Sequence, residues 1–146
     1  DRGINLAHGR EAIALAQNTL KGHVNDDYVS LSETNTGHEA LEKMREKQQT
    51  EAYVISGNGC LAGKLSIHQA IEAESKSVFN FLDSQPILLH LDDPLSTAMH
   101  VVSDFVGESL PIIDRNDRRF LGVITEGDLF KAVITVQSDV RSSERE

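Results

Sequence analysis

Apolar residues recur at two different periods along this chain, and the switches between the periods lay out its elements. Residues 28–31 form a brief continuous run, read as a strand. Residues 37–48 follow helical spacing, with Ala40, Leu41 and Met44 on the inner face. Residues 52–55 and 61–65 are strand runs separated by Ser56-Gly-Asn-Gly59, and Asn-Gly between apolar runs favours a hairpin turn. Ser66 is placed to cap a helix that carries Ala70, Ile71 and Ala73. Residues 78–82 read as a short apolar turn and 87–91 as a strand. Asp93-Pro94 predicts a helix start, the carboxylate as N-cap and the proline in the first turn. That helix is expected to run to about residue 106, burying Ala98, Met99, Val102 and Phe105, and to stop at Gly107. Strands over 110–113 and 120–124 flank a turn at 114–118, and a last helix carries Leu129, Phe130, Val133 and Ile134. Ahead of all this, Ala12, Leu15, Ala16 and Leu20 suggest one helical face ended by Gly22. The polar residues 138–146 are expected to fray.

The order strand–helix–strand–strand–helix thus occurs twice. Leu61 and Phe120, Gly63 and Gly122, Leu65 and Ile124, and Ser66 and Thr125 are each 59 positions apart, while Ala40 and Ala98 are 58 apart. A repeat of this kind is an architectural feature. Each unit would leave one face of a small sheet exposed, and packing the units sheet to sheet about a pseudo-two-fold would cover both. The predicted fold is therefore mixed α/β, of the α+β kind, made of two β-α-β-β-α units. A lead-in spans 1–23, the units 24–76 and 77–137, and a polar tail 138–146. Symmetric clefts between the units are natural ligand positions.

The second unit closes with Phe120-Leu-Gly-Val-Ile-Thr-Glu-Gly-Asp-Leu129. Thr125 sits where strand gives way to helix, so its hydroxyl can accept from the Asp128 N–H as an N-cap does. The same residues admit a ligand reading. A helix N-terminus with Gly122 and Gly127 beside it suits a phosphate, and Asp128 offers a carboxylate of the kind that binds ribose hydroxyls. The tandem repeat and the Gly-Val-Ile-Thr-Glu-Gly-Asp-Leu motif together make residues 24–137 similar to the CBS domain pair, or Bateman module. That resemblance implies a regulatory, non-catalytic module binding an adenine nucleotide (AMP, ADP or ATP) between its copies, with no prosthetic group. Carried over by position, Thr125 would meet phosphate, Asp128 the ribose diol, and the Val123 backbone the sugar. The adenine side would be Thr34, Asn35 and Thr36 before the first helix, with Gln49, Thr50 and Ala52. The chain departs from the pattern at Gln48 and Gln49, where apolar or aromatic cover for adenine is usual. In the first copy Ser66-Ile-His-Gln69 has an amide where the ribose acid belongs. A capping box works with glutamine, so this copy is expected to cap its helix only, leaving one nucleotide per chain. The resemblance also implies a homodimer.

Charge and composition narrow the partners. A net charge of −9 and a pI near 5.1 argue against nucleic acid or an anionic membrane as the main partner. Cys60 is the single cysteine; an internal disulfide is excluded, and an exposed bystander is expected. The six histidines show no metal-ligand spacing, and Asp26-Asp27 and Asp92-Asp93 sit where aspartate favours turns and caps. No metal site, nucleophile triad or phosphate loop is read, and no enzyme is expected. The first residue, Asp1, reads as the start of a fragment. Arg2-Gly-Ile-Asn-Leu-Ala-His-Gly-Arg-Glu11 resembles the connector between the last membrane helix and the CBS pair of bacterial CLC chloride channels and transporters. The expectation is a cytoplasmic regulatory tail tethered to the inner membrane through a transmembrane parent. The alternatives are a structural dimerisation module without nucleotide, and a stand-alone nucleotide sensor.

Overall fold

In a computed structural model, which describes residues 2–145, the chain runs α1 (Arg2–Gln17), β1 (Val29–Ser32), α2 (Gly37–Lys47), β2 (Glu51–Ile55), β3 (Leu61–Ser66), α3 (Ile67–Ala73), β4 (Leu89–His90), α4 (Leu95–Ser103), β5 (Leu110–Ile113), β6 (Phe120–Ile124) and α5 (Glu126–Arg145). A 3₁₀ turn at Val78–Asn80 joins the halves. Residues 1 and 146, the ends of the predicted lead-in and tail, lie outside the described residues. Among the described residues the fold is mixed α+β, with five α-helices and two three-stranded sheets.

The sheets are ordered β1-β2-β3 and β4-β5-β6, with a parallel pair and an antiparallel pair in each. A parallel pair needs a crossover, and α2 and α4 supply it. All four β5 residues are buried, because helices cover one face of that sheet and the other sheet covers the opposite face. Two apolar cores result. Val29, Leu31, Met44, Val54 and Leu65 fill the first; Leu89, Leu95, Leu110, Ile112 and Ile124 fill the second. Between the sheets Tyr28, Tyr53 and Phe120 form an aromatic cluster, with Phe120 4.9 Å from Tyr28 edge-on and 5.4 Å from Tyr53 stacked.

Several elements differ from the sequence reading, each for a local reason. β4 covers two residues rather than 87–91, because Pro111, next along β5, lacks the N–H that would extend the ladder. Pro94, not Asp93, takes the N-cap of α4, so the Asp93 carboxylate lies one residue too early to cap. It accepts instead from His90 N (2.7 Å) and Arg115 (2.7 Å). The helix ends at Ser103, and Met99 is exposed rather than buried. α5 continues to Arg145 through the predicted tail, since no Gly or Pro follows Gly127 to stop it.

The lead-in also differs. α1 ends at Gln17, and its inward residues are Ala14 and Leu15, with Ala12 and Ala16 exposed. It packs on α4 and α5. Leu20 is fully buried in the core of the second copy, fixed by Leu20 N to Asp93 O (3.1 Å) and Leu95 N to Asn18 O (2.8 Å). Cys60 is half-buried rather than exposed, its thiol 3.3 Å from the Asp117 carbonyl.

Candidate functional site

Each copy's sheet is extended by the segment that opens the other copy. Asn25 N donates to Val123 O (2.7 Å), and Val123 N donates to Asn25 O (2.9 Å). Lys64 and Asp83 exchange the same two bonds in the first copy, at 3.0 and 2.8 Å. Glycine permits both passages. A Cβ on Gly122 would strike Val24 and the Asn25 carbonyl, and one on Gly63 would strike Leu82 and the Asp83 carbonyl. Gly122 also holds φ +146°, which other residues adopt at a cost. The repeated glycines therefore admit the chain itself. Gly127 has no such duty, because a Cβ there would meet only the Thr125 hydroxyl, at 3.8 Å.

The crossing segment 22–26, Leu121, Asp128 and Lys131 line an open cleft of about 610 Å³ at the head of α5. Thr125 and Asp128 form a reciprocal cap: Asp128 N donates to Thr125 Oγ1 and Thr125 N donates to Asp128 Oδ2, both at 3.0 Å. Asn25 Nδ2 donates to the same Oδ2 at 2.9 Å. Burial by itself would raise the Asp128 pKa. The Asn25 amide, the backbone and hydroxyl of Thr125 and the nearby Lys131 outweigh it, so the pKa is lowered from its usual value and the carboxylate is held ionised. The Thr125 N–H and the Asn25 amide share Oδ2.

The other residues named from the sequence are dispersed. Val123 has both backbone groups committed to Asn25 and a buried side chain. Ala52 is fully buried in the first core. Thr50 donates through N and Oγ1 to Glu108 at 2.6 and 2.7 Å, on the seam between copies. Gln49 does not line the cleft; its amide donates to Asp27 O at 3.3 Å, next to the crossing segment. Thr34, Asn35 and Thr36 are not brought to Asp128. They lie at the far end of α2 from Gln49 and Thr50, about 16 Å away for an 11-residue helix. There Asn35 Oδ1 accepts from Ser32 N (2.8 Å), and Thr36 caps α2 in a capping box with Glu39. The strand β1 carries the chain away from the cleft before that loop begins. Val24, Asn25 and Lys131 were missed. The repeated Gly63/Gly122 pair was the available signal that a segment of backbone passes close by.

The first copy has a second cleft, of about 290 Å³, beside Ser66 and Gln69, with Asp83, Pro86, Ile87, Phe105 and Val106 opposite. Ser66 and Gln69 form a capping box at 2.9 and 3.2 Å. Lys64 crosses from this cleft to the seam: its ammonium is 3.0 Å from Glu51 Oε1, 2.8 Å from Ser109 O and 4.7 Å from the Phe105 ring centroid. Tyr53 completes the seam through Ser109 O and Oγ, at 3.0 and 2.6 Å. Burial pushes its hydroxyl pKa well up; the Ser109 bond offsets this, and Glu51 and Glu108 add to it. Among the described residues no cluster of His, Cys, Asp or Glu could hold a metal ion, and no helix is long and apolar enough to cross a membrane.

A family model for the CBS domain matches residues 20–76 and 78–135. The chain therefore belongs to the CBS domain family and carries two copies, a CBS pair. No curated protein is a match. Among solved structures, CbpB in complex with c-di-AMP is 16% identical with TM-score 0.76, covering 92% of this chain and 97% of that one. CBSX2 in complex with AMP is 20% identical with TM-score 0.70, covering 82% and 98%. The cytosolic domain of the Mg²⁺ channel MgtE in complex with ATP is 24% identical with TM-score 0.68, covering 84% of this chain and 52% of that one. At these identities the likenesses establish the fold.

Proposed function

We propose that this CBS pair is a non-catalytic regulatory module that takes one adenine nucleotide in the cleft beside Asp128. The observation that carries this reading is the carboxylate itself. It is held ionised at the head of a helix, and the Thr125 N–H and the Asn25 amide both bond Oδ2, which leaves Oδ1 to meet a ribose hydroxyl. The N–H groups at the start of α5 favour a phosphate, and Lys131 supplies a nearby positive charge. The neighbours solved with AMP, ATP and c-di-AMP support the ligand class. Thr125, Asp128 and Gln49 remain in the proposed site, with the Val123 backbone as its floor. Thr34, Asn35 and Thr36 are left out because they lie at the other end of α2, Ala52 because it is buried, and Thr50 because Glu108 occupies it.

The test is thermal melting with AMP. A ligand that binds only the folded chain stabilises it by about 2.7 kcal/mol at a hundredfold excess over Kd, seen as a shift of several degrees. Asp128→Asn keeps a capping side chain and is expected to lose most of that shift. An unchanged melting temperature in millimolar AMP, ADP and ATP would overturn the nucleotide reading. The structural-module alternative would then lead, favoured by the internal bonding of Asp128 and the exposed apolar face of α4 and α5.

The same proposal places the pair on the cytoplasmic side as part of a membrane protein, a CLC-type chloride channel or transporter. Its support is the resemblance of residues 2–11 to the connector of such proteins. An upstream coding region without apolar spans of about 20 residues would overturn it.

A further inference from the structure

We infer that Asn25 is the residue that sets the affinity of the Asp128 cleft, by competing with the ligand for the carboxylate, and that it ties occupancy to the lead-in. This rests on the nucleotide reading given above. Asn25 belongs to no motif. It lies 103 positions from Asp128, yet its amide nitrogen is 2.9 Å from Oδ2. The other end of the same side chain is also committed, since Asn25 Oδ1 accepts from Asp27 N at 2.7 Å. Asp27 in turn accepts at its carbonyl from Gln49 (3.3 Å) and at its carboxylate from Lys47 (3.0 Å). One chain of hydrogen bonds therefore runs from the head of α5 in the second copy, at the cleft, to the end of α2 in the first. A ribose diol that grips both oxygens of Asp128 must displace the Asn25 amide, and an ionised acceptor makes that bond stronger than a neutral one. The two copies differ in this respect. The residue corresponding to Asn25 in the repeat is Asp83, which accepts from Gln85 N at 3.0 Å, and the residue corresponding to Asp128 is Gln69, which accepts from Ser66 N. Amide and acid are exchanged, and only the second copy has an amide donating to the motif carboxylate.

Release of Asn25 also loosens its surroundings. Residues 18–25 are fixed to the second copy by Asn18, Leu20 and Asn25 backbone bonds, and α1 follows directly on the N-terminal side. Displacing the Asn25 side chain removes a clamp at the end of that run.

The test is calorimetric titration of AMP into the wild-type chain, Asn25→Ser and Asp128→Asn, with amide hydrogen exchange of residues 18–27 in the presence and absence of AMP. Serine keeps an acceptor for the Asp27 N–H but cannot reach Asp128. The expected result is AMP binding about tenfold tighter in Asn25→Ser, from loss of one charge-assisted competitor, and faster exchange of residues 18–27 when AMP binds the wild type. Equal or weaker binding in Asn25→Ser, with Asp128→Asn still losing affinity, would overturn the competition and leave the nucleotide site standing. Tighter binding with unchanged exchange would overturn the link to the lead-in. No binding to wild type and Asn25→Ser alike would overturn the nucleotide site and this inference with it.

Discussion

At the scale of single residues, the glycines show how a correct pattern can be given the wrong cause. Gly122 and Gly127 both flank the Thr125-Asp128 cap, and both suit a bare backbone next to a ligand. Only Gly122 is required sterically, and what it accommodates is Asn25 of the same chain. Gly122→Ala is expected to destabilise the fold by about 2–4 kcal/mol, from a strained φ and a collision with the crossing segment. Gly127→Ala is expected to stabilise it by about 0.5 kcal/mol, since alanine is the better helix former and nothing opposes its Cβ. Urea unfolding of the two variants checks this, and equal costs would contradict the distinction. The helix caps at Ser66 and Thr125 were legible because an N-cap and its N3 partner are three residues apart; Thr36 and Glu39 follow the same rule, but Thr36 was read for the adenine side. The partner of Asp93 was not, because Arg115 reaches it from 22 positions away.

At the scale of elements, periodicity located most strands and helices, but not every buried face. α1 turns Ala14 and Leu15 inward because it packs between α4 and α5, a constraint outside its own sequence. α4 and α5 in turn present an apolar face to solvent: Met99 is 39% exposed, Phe130 66% and Ile134 46%, around a depression also lined by Val102 and Val133. In the first copy the corresponding positions keep Leu41 and the exposed Ile71 but put Arg45, Glu74 and Ser75 where the second has Ser103, Val133 and Ile134. The family resemblance implies pairing of two chains through the helices of either copy, and we propose the α4/α5 face as the surface used. Light scattering should give a concentration-dependent mass above the 16.1 kDa of one chain. Phe130→Lys should return it to that value by placing a charge on the buried patch. A wild-type mass of one chain at every concentration would contradict the pairing.

At the scale of the whole molecule, the two copies are interlocked. Leu20, at the start of the first copy, completes the core of the second, and Asn25 extends the second sheet. Asp83, near the start of the second copy, extends the first. The seam between them is closed by Thr50–Glu108, Tyr53–Ser109 and Lys64–Ser109 hydrogen bonds and by the Phe120 cluster. Cutting the chain between the copies would expose parts of both cores and leave each sheet without its outer segment. Residues 20–25 thus fall within the first copy by the family match and join the second copy by packing.

The sequence by itself determined the repeat, the order of elements in each copy, the caps at Ser66 and Thr125 and the sheet-to-sheet arrangement. Each follows from spacing over a few residues or from one offset applied twice. Only the tertiary structure decided which surfaces share a cleft. A parallel β1–β2 pair puts the loop before α2 and the loop after it at opposite ends of the sheet, so Thr34, Asn35 and Thr36 part from Gln49. The same crossing of chains that buries Leu20 sets Asn25 against Asp128. Contacts over such separations are set by how the sheets close on one another, which local periodicity does not specify.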